Sequence, residues 1–364
     1  MTTSISNLDL KQKIGQLFSI GIAGPEIDGP TEALLREIQP GGVCLFARNV
    51  REAAQLRDLC DGLREILINP IISIDQEGGT VDRLRRIVTP MAAAGQVSSV
   101  EKAEQMGRMI GELLRILGVN TDFAPVVDVV DESREGASNG LFTRPFGRSK
   151  KAVVQLAGSF LTGLESQGIV GCLKHFPGLG AAKVDSHSEL PCIELSDSEL
   201  SDVDLYPYLE LLPKHNAAVM IAHAAYTGVS LQEKAQNGTL LPSSLSSSII
   251  SGLLREKVGF DGLVFTDDLE MGAILRNFGI GDACRMAFLA GVDALCICAD
   301  PTNIRTGYEA IENAIASGEI SALRLNMSLS RIARAKAELA EPLPFDEARI
   351  DELSDEIVAF NASL

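Results

Sequence analysis

The 364-residue chain contains no tryptophan, four tyrosines and only four histidines. It is also poor in positive charge: 32 Lys and Arg stand against 49 Asp and Glu, a net charge of -17. A nucleic-acid binder needs a basic face to neutralise phosphates, so this balance argues against a nucleic-acid partner. No apolar run approaches the roughly 20 residues of a membrane span, so no membrane partner is expected. The first thirteen residues are polar and lack the basic-then-apolar order of a secretion signal. Seven cysteines (Cys44, Cys60, Cys172, Cys192, Cys284, Cys296 and Cys298) are odd in number and scattered. They read as buried free thiols in a reducing compartment, and no Cys/His cluster has zinc-ligand spacing. A cytoplasmic location, with no metal or cofactor, is the resulting expectation.

What is present is ordinary for a soluble fold, at 46% hydrophobic and 22% charged. Short apolar runs alternate with amphipathic stretches along the whole chain. The runs predict strands at 18–22, 42–46, 71–74, 122–126, 171–174, 218–221, 263–266 and 294–297. Helices are predicted at 31–38, 52–67, 100–117, 151–167, 196–213, 246–256 and 283–290. Most strands are apolar on both sides, as strands covered on two faces should be. Eight strands separated by seven helical segments point to an α/β fold, a closed (β/α)8 TIM-type barrel in one domain. An open doubly wound sheet is the competitor. Two more helices, 303–316 and 320–341, form a C-terminal helical extension. Residues 1–340 thus form the barrel unit. Residues 341–364 form a tail, with Pro342-Leu-Pro344 and an acidic patch at 351–356.

Polar residues follow several strands: Asp75, Lys174-His175, His223 and Asp267. Barrel active sites are assembled at that face. The densest segment runs from Lys174-His-Phe-Pro-Gly to Asp185-Ser-His187, a strand end continuing into a Gly/Pro-rich loop. Asp185 and His187 are two apart, so an extended loop points them the same way. A carboxylate beside an imidazole fixes its tautomer and raises its proton affinity. By itself such a pair is more often a surface contact. In Phe265-Thr-Asp267-Asp268, alternation lets only one carboxylate face the barrel mouth, and spacing does not say which. The other suits a helix cap. Asp75 and Arg83 flank Gly78-Gly79 and could bind a polyol, or merely form a capping turn. Arg144 sits in a loop and could be a plain surface residue.

Together these segments resemble glycoside hydrolase family 3, in its β-N-acetylglucosaminidase branch. The resemblance rests on KHFPG with DSH at its spacing, on FTDDLEM and on IDQEGG. Supporting pieces are the segments around Phe123–Asp128, Val219–His223 and Leu241–Ser246. It runs from about Leu8 to Lys336. It implies a (β/α)8 barrel that hydrolyses terminal β-linked GlcNAc with retention, with peptidoglycan fragments as the usual substrate. Asp267 matches the nucleophile, His187 the general acid/base and Asp185 its orienting carboxylate. Asp75, Arg83, Arg144, Lys174 and His175 match sugar contacts, and His223 is similar to a histidine lining the site. The partner implied is a small-molecule sugar.

Thr80, Leu179, Ala181, Pro145 and Glu270 depart from the family pattern, which bears on the leaving-group side and on the dyad loop. A barrel that binds amino sugars without turnover is a second reading, though a mere binder needs no nucleophile. Phosphorolysis is another, because a neutral imidazole repels phosphate less than a carboxylate would. A pocket that holds one terminal sugar through Asp, Arg, Lys and His needs no tryptophan platform. An anionic substrate would require Arg83, Arg144 and Lys174 to create a local positive patch on this acidic protein.

Overall fold

The computed structural model describes residues 5–134, 139–235 and 237–364. Its centre is a ring of eight parallel strands. They are β1 (Phe18–Gly21), β2 (Gly42–Leu45), β3 (Ile71–Ile74), β4 (Thr121–Asp122), β5 (Val170–Phe176), β6 (Ala218–Ile221), β7 (Val264–Thr266) and β8 (Leu295–Ile297). Each pairs with its neighbour in sequence, and β8 returns to β1. Closure between β7 and β8 runs through the Phe265–Ala294 bridge, with Thr266 N–H donating to the Ala294 carbonyl at 3.1 Å. The barrel is therefore closed, and the open-sheet alternative falls.

The predicted strands recur within one or two residues, except the fourth. There the regular ladder stops at Asp122, because Pro125 has no N–H to donate. Pairing resumes at Val126, which bridges Lys174.

Helices α1 (Leu10–Gly15), α2 (Gly29–Ile38), α3 (Ala53–Ile66), α4 (Val100–Ile116), α5 (Lys150–Ser166), α6 (Tyr206–Leu211), α7 (Ser248–Lys257), α8 (Ile280–Ala290), α9 (Pro301–Ala316), α10 (Ala322–Ala337) and α11 (Glu347–Ala362) surround it. One of α2 to α9 follows each strand. Ser99 and Ser149 accept from the N–H groups of Lys102 and Ala152, and so start α4 and α5. The single helix expected over 196–213 is broken. Pro207 cannot donate to the preceding turn, and Leu205 N–H reaches back to Leu200 O instead.

Two differences lie at the C-terminal end. Helix α10 crosses the bottom of the barrel, where Lys336 bonds Gln16 and the Ile68 carbonyl. The segment expected as an acidic tail contains α11, which buries Ile350, Leu353, Ile357 and Phe360. Those positions recur every three or four residues, which is one helical face. Arg349 of α11 forms a two-bond pair with Glu112 of α4. Ser354 bonds Thr89, and Asn361 bonds Ala92 N–H and the Pro90 carbonyl. Among the described residues, no helix is long and apolar enough to cross a membrane.

Inside the barrel, Phe123 and Phe265 meet edge to face at 5.1 Å. Phe265 lines a lower cavity of about 610 Å³ at the strand N-termini, under α10. Phe123 lines an upper cavity of about 440 Å³ at the strand C-termini. The lower cavity is larger, but its arginines are committed: Arg331 pairs with Asp261 and Asp293, and Arg334 with Asp261. The chemistry collects in the upper one.

Candidate active site

The upper cavity takes one side chain or more from most strand ends. Asp75, Arg83, Arg144, Lys174, His175, Asp185, His187 and Asp267 all line it. Eight of the nine predicted site residues therefore meet in one space. The ninth, His223, does not line it. It is fully buried, with Nδ1 2.7 Å from Ser244 Oγ and Nε2 3.0 Å from the Asp268 carbonyl. A carbonyl only accepts, so Nε2 carries the proton, and the ring is a neutral support behind Asp267. Burial, with His175 nearby, lowers its proton affinity despite the opposing pull of Asp267.

Asp267 leaves β7 with its carboxylate accepting from the Asp268 N–H at 2.8 Å. Burial would raise this acid. The His223 and His175 rings, that N–H and His187 outweigh burial and hold it below the usual carboxylate range. Asp267 is therefore an ionised carboxylate at neutral pH. Asp268 behaves oppositely. Burial, with Glu270 and Asp267 nearby, pushes it up to about 7. Its carboxyl accepts from Glu270 N–H at 3.0 Å, which closes a local turn. The helix cap expected of one of the pair is not formed, because the next helical turn starts at Gly272 after Met271 without a side-chain cap.

The floor is an ion network that the spacing did not reveal. Lys174 Nζ lies 2.6 Å from Asp75 and 2.7 Å from Glu77. Arg144 grips Glu77 with two bonds, at 2.8 and 3.0 Å. Burial opposes the charge on Glu77, yet Lys174 and Arg144 bring its carboxyl down to about 2. Lys174 and Arg144 are raised above their ordinary values by Asp75 and Glu77, against the cost of burial. Beneath them Asp122 is buried, with one carboxyl oxygen unpartnered. Burial raises that acid well above its usual range, against the pull of the Gln76 N–H and Lys174.

Arg144, open to a plain surface reading from sequence, is thus a partly buried residue paired with the buried Glu77. The local positive patch is corrected as well. Lys174, Arg144 and Arg83 pair with Asp75 and Glu77 and share the cavity with Asp185 and Asp267, so the lining carries no net positive charge. Glu77 was missed because its partners lie far along the chain.

Arg83 is held by a short hairpin in which Gln76–Gly78 pairs with Val81–Asp82. Gln76 Oε1 accepts its backbone N–H at 2.9 Å. The turn needs Gly78: φ is +84°, and a Cβ there would sit 2.3 Å from the Ala92 carbonyl. Arg83 lies over the Phe46 ring and 3.6 Å from Asp75. Its Nε has no hydrogen-bond partner among the described residues. A buried donor beside an acid in an open pocket suits a polar ligand.

His175 is clamped by Asp128, whose Oδ2 is 2.8 Å from Nδ1. Asp128 also accepts from Leu179 N–H, so one carboxylate ties the strand end to the loop. Farther along that loop, Asp185 Oδ1 lies 2.7 Å from His187 Nδ1. Burial would raise Asp185, but the backbone and ring of His187 hold it low. With Nδ1 occupied, Nε2 is the ring nitrogen available to a substrate. The loop rests against the segment following Asp267: Gly272 N–H donates to His187 O, and Ala273 N–H to Ser186 O, both at 3.2 Å. Gly140 leaves room for the pair, since a Cβ there would be 2.8 Å from Asp185.

Of the five departures, only Thr80 lines the cavity. Leu179 and Pro145 are buried, and Ala181 packs on the core. Glu270 turns away to bond Asp300 N–H and the Asn303 amide at the start of α9. Cys44, Cys296 and Cys298 also line the cavity as free thiols.

The family model for the glycosyl hydrolase family 3 N-terminal domain matches residues 9–335. A protein of Thiobacillus denitrificans named beta-hexosaminidase is 34% identical over 292 residues, 78% of each chain. A solved glycoside hydrolase family 3 beta-N-acetylglucosaminidase from Paenibacillus superposes with a TM-score of 0.86 at 33% identity. That match covers 97% of this chain and 69% of the other. A glycosyl hydrolase of the same family from Mycobacterium smegmatis gives 0.82 at 30% identity, over 93% of this chain and all of that one.

Proposed function

Because the chain belongs to glycosyl hydrolase family 3, we propose that it removes terminal β-linked GlcNAc by double displacement. Asp267, ionised at neutral pH, attacks the anomeric carbon and forms a glycosyl-enzyme. His187 protonates the leaving oxygen from Nε2 and then takes a proton from the attacking water at the same atom. Asp185 holds Nδ1 and stabilises the imidazolium. Asp75, Lys174 and Arg83 bind sugar hydroxyls, with Arg144 and His175 positioning them. His223 supports Asp267 from behind. Residues 1–340 serve as the catalytic barrel, and 341–364 as its C-terminal segment.

The observation that carries this reading is the docked dyad. A carboxylate–imidazole pair is held by backbone bonds against the connector that follows an ionised aspartate. An amino-sugar binder has no use for that arrangement. GlcNAc-terminated fragments whose next ring is neutral are the substrate class we favour over anionic peptidoglycan fragments, because the acids and bases lining the cavity leave no net positive charge. Seven free cysteines support a cytoplasmic setting.

The test is to assay aryl β-GlcNAc against aryl β-glucose, with and without phosphate. Preferred GlcNAc turnover with β-configured product supports the reading. Phosphate dependence with GlcNAc-1-phosphate as product redirects it to phosphorolysis. Asp267→Asn should abolish turnover while leaving the fold and sugar binding intact; persistent activity removes Asp267 as the nucleophile.

A further inference from the structure

We propose that Phe142 forms a subsite for a neutral sugar ring on the leaving-group side of the scissile bond. This rests on the function proposed above. Phe142 is 72% exposed, the most exposed large hydrophobic side chain among the described residues, and it lines the upper cavity. Its φ is +42°, a left-handed conformation that bulky side chains rarely adopt. Strain of this kind persists only where the surroundings impose it, and it collects at ligand sites.

The surroundings do impose it. Arg144 N–H closes a turn onto the Leu141 carbonyl at 2.8 Å. Leu141 is buried, and Asn139 accepts its N–H at 3.1 Å. On the other side the Thr143 carbonyl accepts from Gly95 N–H at 2.9 Å, and Arg144 is locked to Glu77. The ring is thus held out over the pocket mouth by a rigid frame. A hydrophobe fixed in the open, at an energetic cost, calls for a partner.

Position names the partner. Gly140, two residues earlier, abuts the Asp185 carboxylate. Phe142 lines the same cavity as the acid/base dyad, on the segment that abuts Asp185, and this is the side from which the leaving group would depart. Charge narrows the chemistry. With Asp185 and Asp267 also in its wall, the cavity has no surplus positive charge for an anion, whereas an aromatic face stacks well against the C–H face of a pyranose. The protein has no tryptophan, so this phenylalanine supplies the platform at the mouth.

The test uses a non-hydrolysable thio-linked N,N′-diacetylchitobiose and free GlcNAc as binding probes, with the disaccharide and methyl β-GlcNAc as substrates. Phe142→Ala should weaken the thio-disaccharide about tenfold relative to GlcNAc. The kcat/KM ratio of disaccharide to methyl glycoside should fall similarly. Phe142→Tyr should restore both. Phe142→Gly, released from the strained backbone, should raise Tm yet show the same loss. Equal weakening of both probes, or of neither, overturns the proposal. If the wild type hydrolyses neither substrate, the hydrolase reading fails. The binding ratio still decides the subsite.

Discussion

Asp185 Oδ1 lies 2.7 Å from His187 Nδ1, while 69% of the His187 side chain remains exposed. One nitrogen is fixed and the other is available, which is the asymmetry a proton shuttle needs. Removing either partner should therefore cost most where protonation of the leaving group is rate-limiting. Asp185→Asn and His187→Ala should lower kcat/KM on alkyl and sugar glycosides by about 10²–10⁴. Loss on an activated aryl glycoside should be far smaller. Equal losses on both substrate types would remove the acid role.

Glu77 is the hub of the floor, shared by Lys174 and Arg144. Breaking one partner of a buried pair strands the other charge, so Glu77→Gln should destabilise by about 3–5 kcal/mol. Acid should do the same to the wild type. The folded carboxyl is held down to about 2, against an ordinary 4.5. Its contribution is complete above about 4.5 and is lost as pH falls towards 2. The window represents on the order of 3 kcal/mol. Denaturation curves at pH 6 and pH 3 for wild type and Glu77→Gln measure it: the gap between the two proteins should narrow at the lower pH. A constant gap would contradict the network.

Glu270 lies three residues from Asp267 yet faces the start of α9. Glu270→Ala should cost about 0.5–2 kcal/mol of stability, the worth of a cap. KM for β-GlcNAc substrates should not move. A raised KM with unchanged Tm would return this residue to the pocket.

The barrel was legible because each buried strand is a short apolar run, and because β7 and β5 end on charges that only a site explains. The dyad was legible because its members are two residues apart. What escaped were relationships between distant segments. Glu77 carries no local mark, since Arg144 and Lys174 reach it only after the ring closes. His223 follows a strand like the true pocket residues, but Ser244 draws its ring backward. Phe142 carried no signal, because nothing in a sequence announces a positive φ on a bulky residue. Helix α11 did show its three- and four-residue spacing, which its acidic outer face masked.

Helix α11 also changes what counts as the working unit. Asn361 and Ser354 hold the strip from Thr89 to Ala92, and that strip backs Gly78 and Gly79 at the floor of the pocket. Helix α11 is therefore a buttress for the Gly78–Gly79 turn that carries Arg83 into the cavity. Recombination that exchanged the barrel at its eighth helix would transfer every side chain proposed for catalysis and still leave the pocket wall without its prop.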